Sequence, residues 1–134
     1  MSSSISGNAP VVTIRPLAGE YAIARLDPGA AIPAWADGEG FVSIGRTDEE
    51  LSVVCLAARV PADTRHDGEW AAFKFQGPFA FNETGILLSV IRPLSEAGIG
   101  IFAVSTFDTD YLLIKQADVV QALPLLKAAG HRLS

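Results

Sequence analysis

Apolar residues in the second half of the chain follow two spacings, and each spacing predicts one kind of element. Phe73 and Phe75 lie two positions apart within residues 70–77, which predicts a β-strand. Over residues 82–98 apolar side chains recur every three or four positions, which predicts one face of a helix. Strands at 99–107 and 111–115, a helix at 117–130 and a short strand at 131–133 complete the series. The predicted order is βαββαβ.

A few proline and polar residues add local expectations to these predicted helices and strands. Pro93 lies inside the first of the two helices and has no N–H group, so the carbonyl of Ser89 loses its helical donor if the helix continues. Asn82 or Thr84 is expected to cap the start of this helix. His131 is expected to be an ordinary polar residue at the start of the last strand.

The first half of the chain repeats the same order in a reduced form. A strand is predicted at 20–27 and a hairpin at 40–57, but Pro28 and Pro33 allow only a short helical turn between them. Residues 60–68 are too few and too rich in Gly and Pro to form a second helix. An extra strand is predicted at 11–17, before the repeat begins.

A short internal similarity supports this organisation. Residues 43–54 match residues 103–114 at an offset of 60 positions, which places Asp48 over Asp108 and Glu50 over Asp110. We therefore predict an α+β fold of two tandem ferredoxin-like βαββαβ subdomains with antiparallel sheets backed by helices, the N-terminal subdomain being degenerate. The expected boundaries are a flexible tail at 1–10, one subdomain at 11–68 and the other at 69–134.

Composition narrows the range of functions. The 134-residue chain has a net charge of −5 and no cluster of Lys or Arg, which argues against nucleic-acid binding. No apolar run has the length of a membrane span, and the first ten residues lack the features of a signal peptide. The single Cys55 fits a reducing compartment such as the cytoplasm, and two distant histidines give no metal-binding spacing. No metal, membrane, nucleic acid or cofactor is expected.

The segment 81–115, FNETGILLSVIRPLSEAGIGIFAVSTFDTDYLLIK, resembles the ACT-domain superfamily, and so do PGAAIPAW and SIGRTDEELSVVC in the first half. The chain is similar to tandem ACT-like proteins whose eukaryotic relatives are the CASTOR arginine sensors. The resemblance implies a non-catalytic regulatory protein that binds a free amino acid or a similar metabolite where two ACT-like units meet, in one chain or in a homodimer. It also leaves room for a regulated protein partner.

The resemblance further implies where the ligand lies, namely between the strand-to-helix loop of the second half and the turn of the following hairpin. The implied contact residues are Glu83, Thr84, Gly85, Ile86, Leu87, Thr106, Phe107, Asp108 and Asp110. Elementary electrostatics favours such a site, because unpaired N–H groups at a helix start attract a carboxylate. Glu83 and Asp110 are suited to accept hydrogen bonds from an ammonium group, whereas Asp108 is expected chiefly to supply turn chemistry.

Two other functions remain open on the sequence alone. A ligand-free dimerisation or partner-binding module would need the same fold but no pocket. A small enzyme using Glu83 and Asp110 as acid and base is the more remote alternative, because no nucleophile or phosphate-binding motif accompanies them. A pocket for a basic side chain is not matched residue by residue, so arginine itself is not implied as the ligand.

Overall fold

The computed structural model describes residues 10–76 and 85–134. The strands are β1 (Thr13–Pro16), β2 (Tyr21–Leu26), β3 (Ser43–Arg46), β4 (Leu51–Leu56), β5 (His66–Phe75), β6 (Ile101–Ser105), β7 (Asp110–Lys115) and β8 (Arg132–Leu133). The helices are α1 (Ile86–Glu96) and α2 (Gln116–Ala128), with short 3-10 turns at Ala34–Ala36 and Ala57–Arg59. The chain forms two compact units: the first is Leu17–Ala72, and the second joins the chain up to Pro16 with Phe73–Ser134.

The first unit is a sheet with the strand order β3-β4-β2-β5. Every pair in it is antiparallel, as the ferredoxin-like βαββαβ arrangement requires. Its two helix positions hold only the 3-10 turns, in agreement with the prediction of a degenerate N-terminal subdomain. A small buried cluster of Ala24, Ala36, Val53 and Cys55 packs the first of these turns against the sheet.

The second unit contains the strand order β6-β7-β5-β1-β8. Strand β1 pairs antiparallel with the end of β5, with Ile14 opposite Phe75, and β8 pairs parallel to β1. The predicted extra strand therefore belongs to the sheet of the second unit, which differs from the expected boundary at 68/69. The physical reason is burial, because Ile14 and Phe75 are both completely inaccessible to solvent.

Helix α1 buries one face, with Ile86, Val90 and Leu94 directed inward, as its three- and four-residue spacing predicted. It continues through Pro93. Its N-cap residue is Gly85, which has a φ of 81° and makes no side-chain cap bond, so the expected caps Asn82 and Thr84 do not hold this position. Glycine tolerates that left-handed conformation at no steric cost. No helix among the described residues is long and apolar enough to cross a membrane.

His131 is a structural residue rather than an ordinary polar one, and the sequence prediction for it was wrong. Its side chain is only 5% exposed. Its Nδ1 accepts a hydrogen bond from the N–H of Val12 at 3.1 Å, so Nδ1 carries no proton and Nε2 must carry it. Nε2 donates to the carbonyl of Ser89 at 2.9 Å. Because Pro93 has no N–H group, this carbonyl would otherwise lack a donor.

Replacing His131 by alanine is expected to lower the free energy of unfolding by roughly 2–4 kcal/mol, because each buried backbone group left unpaired costs about 1–3 kcal/mol. Urea denaturation measures this change. The control is the same substitution in a Pro93→Ala background, where residue 93 supplies a helical N–H to Ser89. There the loss of unfolding free energy is expected to be smaller by about 1 kcal/mol. Strictly additive losses would contradict the His131 tether, by which we mean the two hydrogen bonds that join Val12 to Ser89 through the imidazole ring.

Candidate functional site

Thr106 closes the turn between β6 and β7. Its N–H and its hydroxyl both donate to the carbonyl of Thr109, at 2.8 and 2.9 Å, and its Oγ1 also accepts from the N–H of Thr109 at 3.4 Å. The side-chain bonds of this turn thus come from Thr106, whereas Asp108 was the residue expected to supply turn chemistry. Thr106, Phe107 and Asp108 are exposed, and Phe107 reaches 78% exposure.

Thr109 attaches the turn to the sheet. Its side chain is 6% exposed, and its hydroxyl donates to the carbonyl of Phe75 at 2.8 Å. This bond joins the turn to the end of β5, so the exposed tip projects from a fixed base. A binding residue on such a turn is positioned before any ligand arrives, which lowers the entropic cost of binding.

Asp110 lies at the start of β7 and is half-buried. It pairs with Ser105 across the hairpin, and its Oδ1 accepts a hydrogen bond from the hydroxyl of Ser105 at 2.5 Å. The carboxylate therefore has a structural partner. A carboxylate offers about four acceptor positions on two oxygens, so this single bond leaves capacity for a second donor.

The other predicted residues lie at the start of α1. Gly85 is exposed at the N-cap, Ile86 is buried and Leu87 is half-buried. Glu83 and Thr84 lie outside the described residues. A cavity of about 430 Å³ beside α1 is lined by Gly85 and by none of the predicted hairpin residues. The predicted residues that the structure describes therefore form two groups, one at the helix start and one on the hairpin.

The two hairpins of the chain close their turns with the same kind of threonine hydrogen bond. This correspondence corrects the register of the internal repeat. Thr47 donates its N–H to the carbonyl of Glu50 at 2.9 Å, as Thr106 does with Thr109. This pairing gives an offset of 59 positions rather than 60. Because a shift of one residue reverses which face each strand residue occupies, the correction matters chemically.

In the corrected register, the counterpart of Asp110 is Leu51. Both residues start the second strand of their hairpin, opposite Ser105 and Arg46 respectively. Leu51 is fully buried, whereas Asp110 is half-buried. Only the hairpin of the second unit carries a carboxylate at this position, so the sequence-based match of Glu50 with Asp110 was wrong.

Substituting Thr106 by valine is expected to lower the free energy of unfolding by about 0.5–1.5 kcal/mol, because the turn loses its side-chain hydrogen bonds while keeping a β-branched shape. Thermal and urea unfolding measure the effect. Thr106→Ser keeps the hydroxyl and is the matched control. A loss in Thr106→Ser with none in Thr106→Val would show that the methyl group, not the hydroxyl, stabilises the turn.

Cys55 has the environment of an inert thiol. It is completely buried, and burial raises its pKa, an effect that the charge and hydrogen bond of Arg59 partly oppose. A raised pKa lowers the thiolate fraction at neutral pH, and the thiolate is the nucleophile. Among the described residues, no group of His, Cys, Asp and Glu side chains is arranged to hold a metal ion.

Labelling of Cys55 by a disulfide reagent at pH 8 is expected to be at least about a hundredfold slower in the native protein than in urea, because native labelling requires opening of a buried strand. The chain has a single cysteine, so the absorbance change reports this residue alone. Rapid native labelling would contradict the assignment of Cys55 as a structural thiol.

Comparisons with known proteins identify the family. A family model described as an ACT domain matches residues 65–128, and a second model, for an N-terminal domain, matches residues 19–63. A protein of known crystal structure from Agobacterium tumefaciens is 61% identical and has a TM-score of 0.90, with 94% of each chain covered. The chain belongs to that protein's family and contains an ACT domain. A comparison with curated proteins found no match.

More distant structures share only the fold. A Vibrio cholerae protein of unknown function, described as a possible transport protein, is 17% identical with a TM-score of 0.74, covering 96% of this chain and 97% of its own. The ligand-free regulatory subunit of aspartate kinase from Thermus thermophilus is 9% identical with a TM-score of 0.63, covering 90% of this chain and 99% of its own. These likenesses agree with the predicted α+β, ferredoxin-like fold of ACT domains.

Proposed function

We propose that this protein is a non-catalytic regulatory protein whose ACT domain binds a free amino acid or a close metabolite. The observation that carries the proposal is the hairpin of the second unit. Asp110 is held there by Ser105, beside an exposed turn that Thr109 anchors to the sheet. The hairpin lies within residues 65–128, which match the ACT-domain model.

The two charged ends of an amino acid suit the two groups of residues. The ammonium group binds the carboxylates of Asp110 and Glu83, and the carboxylate binds the N–H groups of Gly85, Ile86 and Leu87 at the start of α1. Charge-assisted bonds of this kind contribute roughly 1.5–3 kcal/mol each. A dissociation constant of about 10 μM corresponds to roughly 7 kcal/mol, so both ends are needed. Thr84, Thr106, Phe107 and Asp108 complete the proposed contacts.

The binding-competent form in this proposal is a homodimer in the cytoplasm that acts on a regulated protein partner, as in CASTOR-like proteins. Phe107 supports a role for the hairpin tip in assembly, because a phenylalanine that is 78% exposed gains from being covered. A ligand that bridges two copies binds the dimer more tightly than the monomer, and it therefore shifts the equilibrium towards the dimer.

A ligand-free assembly module is the second candidate. Its supporting observation is a set of exposed apolar side chains in the second unit, among them Leu88, Phe107 and Val120. In that case no amino acid changes the stability of the protein, and the oligomeric state depends on protein concentration alone.

The first experiment is a thermal-melt screen of the purified protein against the standard amino acids. A ligand at about 100 times its dissociation constant adds roughly 2.7 kcal/mol of stability, which raises Tm by several degrees for a chain of this size. A flat panel would contradict the proposed function and favour the assembly module. Chemical turnover of any hit would contradict the non-catalytic role.

For the amino acid found, Asp110→Ala is expected to weaken binding at least tenfold by calorimetry, because the ammonium group loses a charged acceptor. Ser105→Ala removes the same hairpin bond but keeps the carboxylate, so it is expected to change the affinity less than threefold. Asp48→Ala, an exposed aspartate in the other hairpin, is the charge-matched control. Equal losses with Ser105→Ala and Asp110→Ala would assign Asp110 a structural role only.

A further inference from the structure

The cavity beside α1 has a chemistry that the proposed hairpin site does not use. Its volume is about 430 Å³, which suits a small metabolite. One wall is the exposed side of α1, with Leu88, Arg92 and Glu96, and another is formed by the residues that follow α2. Pro10 closes the end of the cavity near the helix start. A side chain at position 85 would place its Cβ atom 3.9 Å from the Cγ of Pro10.

The back of this cavity is apolar and fixed. His131 lines it, but both of its ring nitrogens are engaged, by the N–H of Val12 and the carbonyl of Ser89. The ring therefore offers mainly carbon atoms to an occupant. The hydroxyl of Ser89 donates to the carbonyl of Ile86 at 2.7 Å, so it is also engaged within the helix.

Among the described residues that line the cavity, the charged groups are one cation and one anion, a single helical turn apart. Arg92 and Glu96 occupy positions i and i+4 of α1. Residues with this spacing are neighbours on a helix surface, with their Cβ atoms about 6 Å apart. No hydrogen bond or ion pair joins Arg92 to another residue in the part of the chain that the structure describes. The cavity therefore offers a donor for a carboxylate next to an acceptor for an ammonium group.

We propose that this cavity is a second ligand site, separate from the hairpin, for a small zwitterion with an apolar body. Arg92 binds the carboxylate, Glu96 binds the adjacent ammonium group, and Leu88, Pro93 and the ring of His131 contact the apolar part. A cation and an anion on adjacent helical turns, beside an apolar wall, favour α-amino acids with apolar side chains. Glu96 disfavours a dicarboxylate, because the second carboxylate would face a like charge.

Calorimetry with L-leucine, L-phenylalanine and two leucine analogues tests this site. The analogues are 4-methylpentanoate, which lacks the ammonium group, and 3-methylbutylamine, which lacks the carboxylate. At least one of the two amino acids is expected to bind below 1 mM, and each leucine analogue at least tenfold more weakly than L-leucine. No binding of either amino acid up to 10 mM would overturn the proposal.

Substitutions assign the binding to the cavity. Arg92→Gln is expected to weaken the binding of the amino acid at least tenfold, and Glu96→Gln to remove the preference for L-leucine over 4-methylpentanoate. Arg15→Gln, an exposed arginine on β1, is the matched control and is expected to leave both unchanged. Unchanged Tm values without ligand would show that the variants fold.

The Asp110→Ala variant separates this site from the proposed hairpin site. Retained affinity in Asp110→Ala together with loss in Arg92→Gln supports the cavity as a separate site. Loss in Asp110→Ala with full affinity in Arg92→Gln would overturn it and assign the ligand to the hairpin. Full affinity in both variants would also overturn it, because the amino acid would then depend on neither the cavity arginine nor the hairpin carboxylate.

Discussion

The imidazole of His131 holds together parts of the second unit that are far apart in sequence. It joins the N–H of Val12, just before β1, to the carbonyl of Ser89 in α1. The bond to α1 is available because Pro93 leaves that carbonyl without a helical donor. Pro93 costs the helix one hydrogen bond and thus leaves a carbonyl free to accept from His131, the residue just before the last strand.

The position of β1 in the sheet agrees with this tether. Strand β1 lies between β5 and β8, where a simple ferredoxin-like unit would pair its first and last strands directly. The ACT domain is therefore completed by residues from the start of the chain. The same tether forms the back wall of the cavity beside α1, so the rigidity of that wall and the placement of β1 have a common origin.

The two hairpins share the same turn hydrogen bond but differ in the residue that follows the turn. Thr47 and Thr106 close their turns with the same backbone bond, so the turn chemistry is a property of the local sequence. The residue that starts the following strand differs, being a buried leucine at 51 and a half-buried aspartate at 110. Only the second hairpin therefore has a carboxylate at the start of its second strand, where Ser105 holds it.

The sequence by itself determined the element order, the degenerate first unit and the ACT resemblance, because periodicity, proline and glycine act over a few residues. It missed the register of the repeat, since a one-residue slip changes the pairing without changing the local pattern. Only the tertiary structure decided the place of β1, the burial of His131 and the cavity at Arg92. Each of these depends on contacts between distant residues, such as Val12 and His131, which no local pattern encodes.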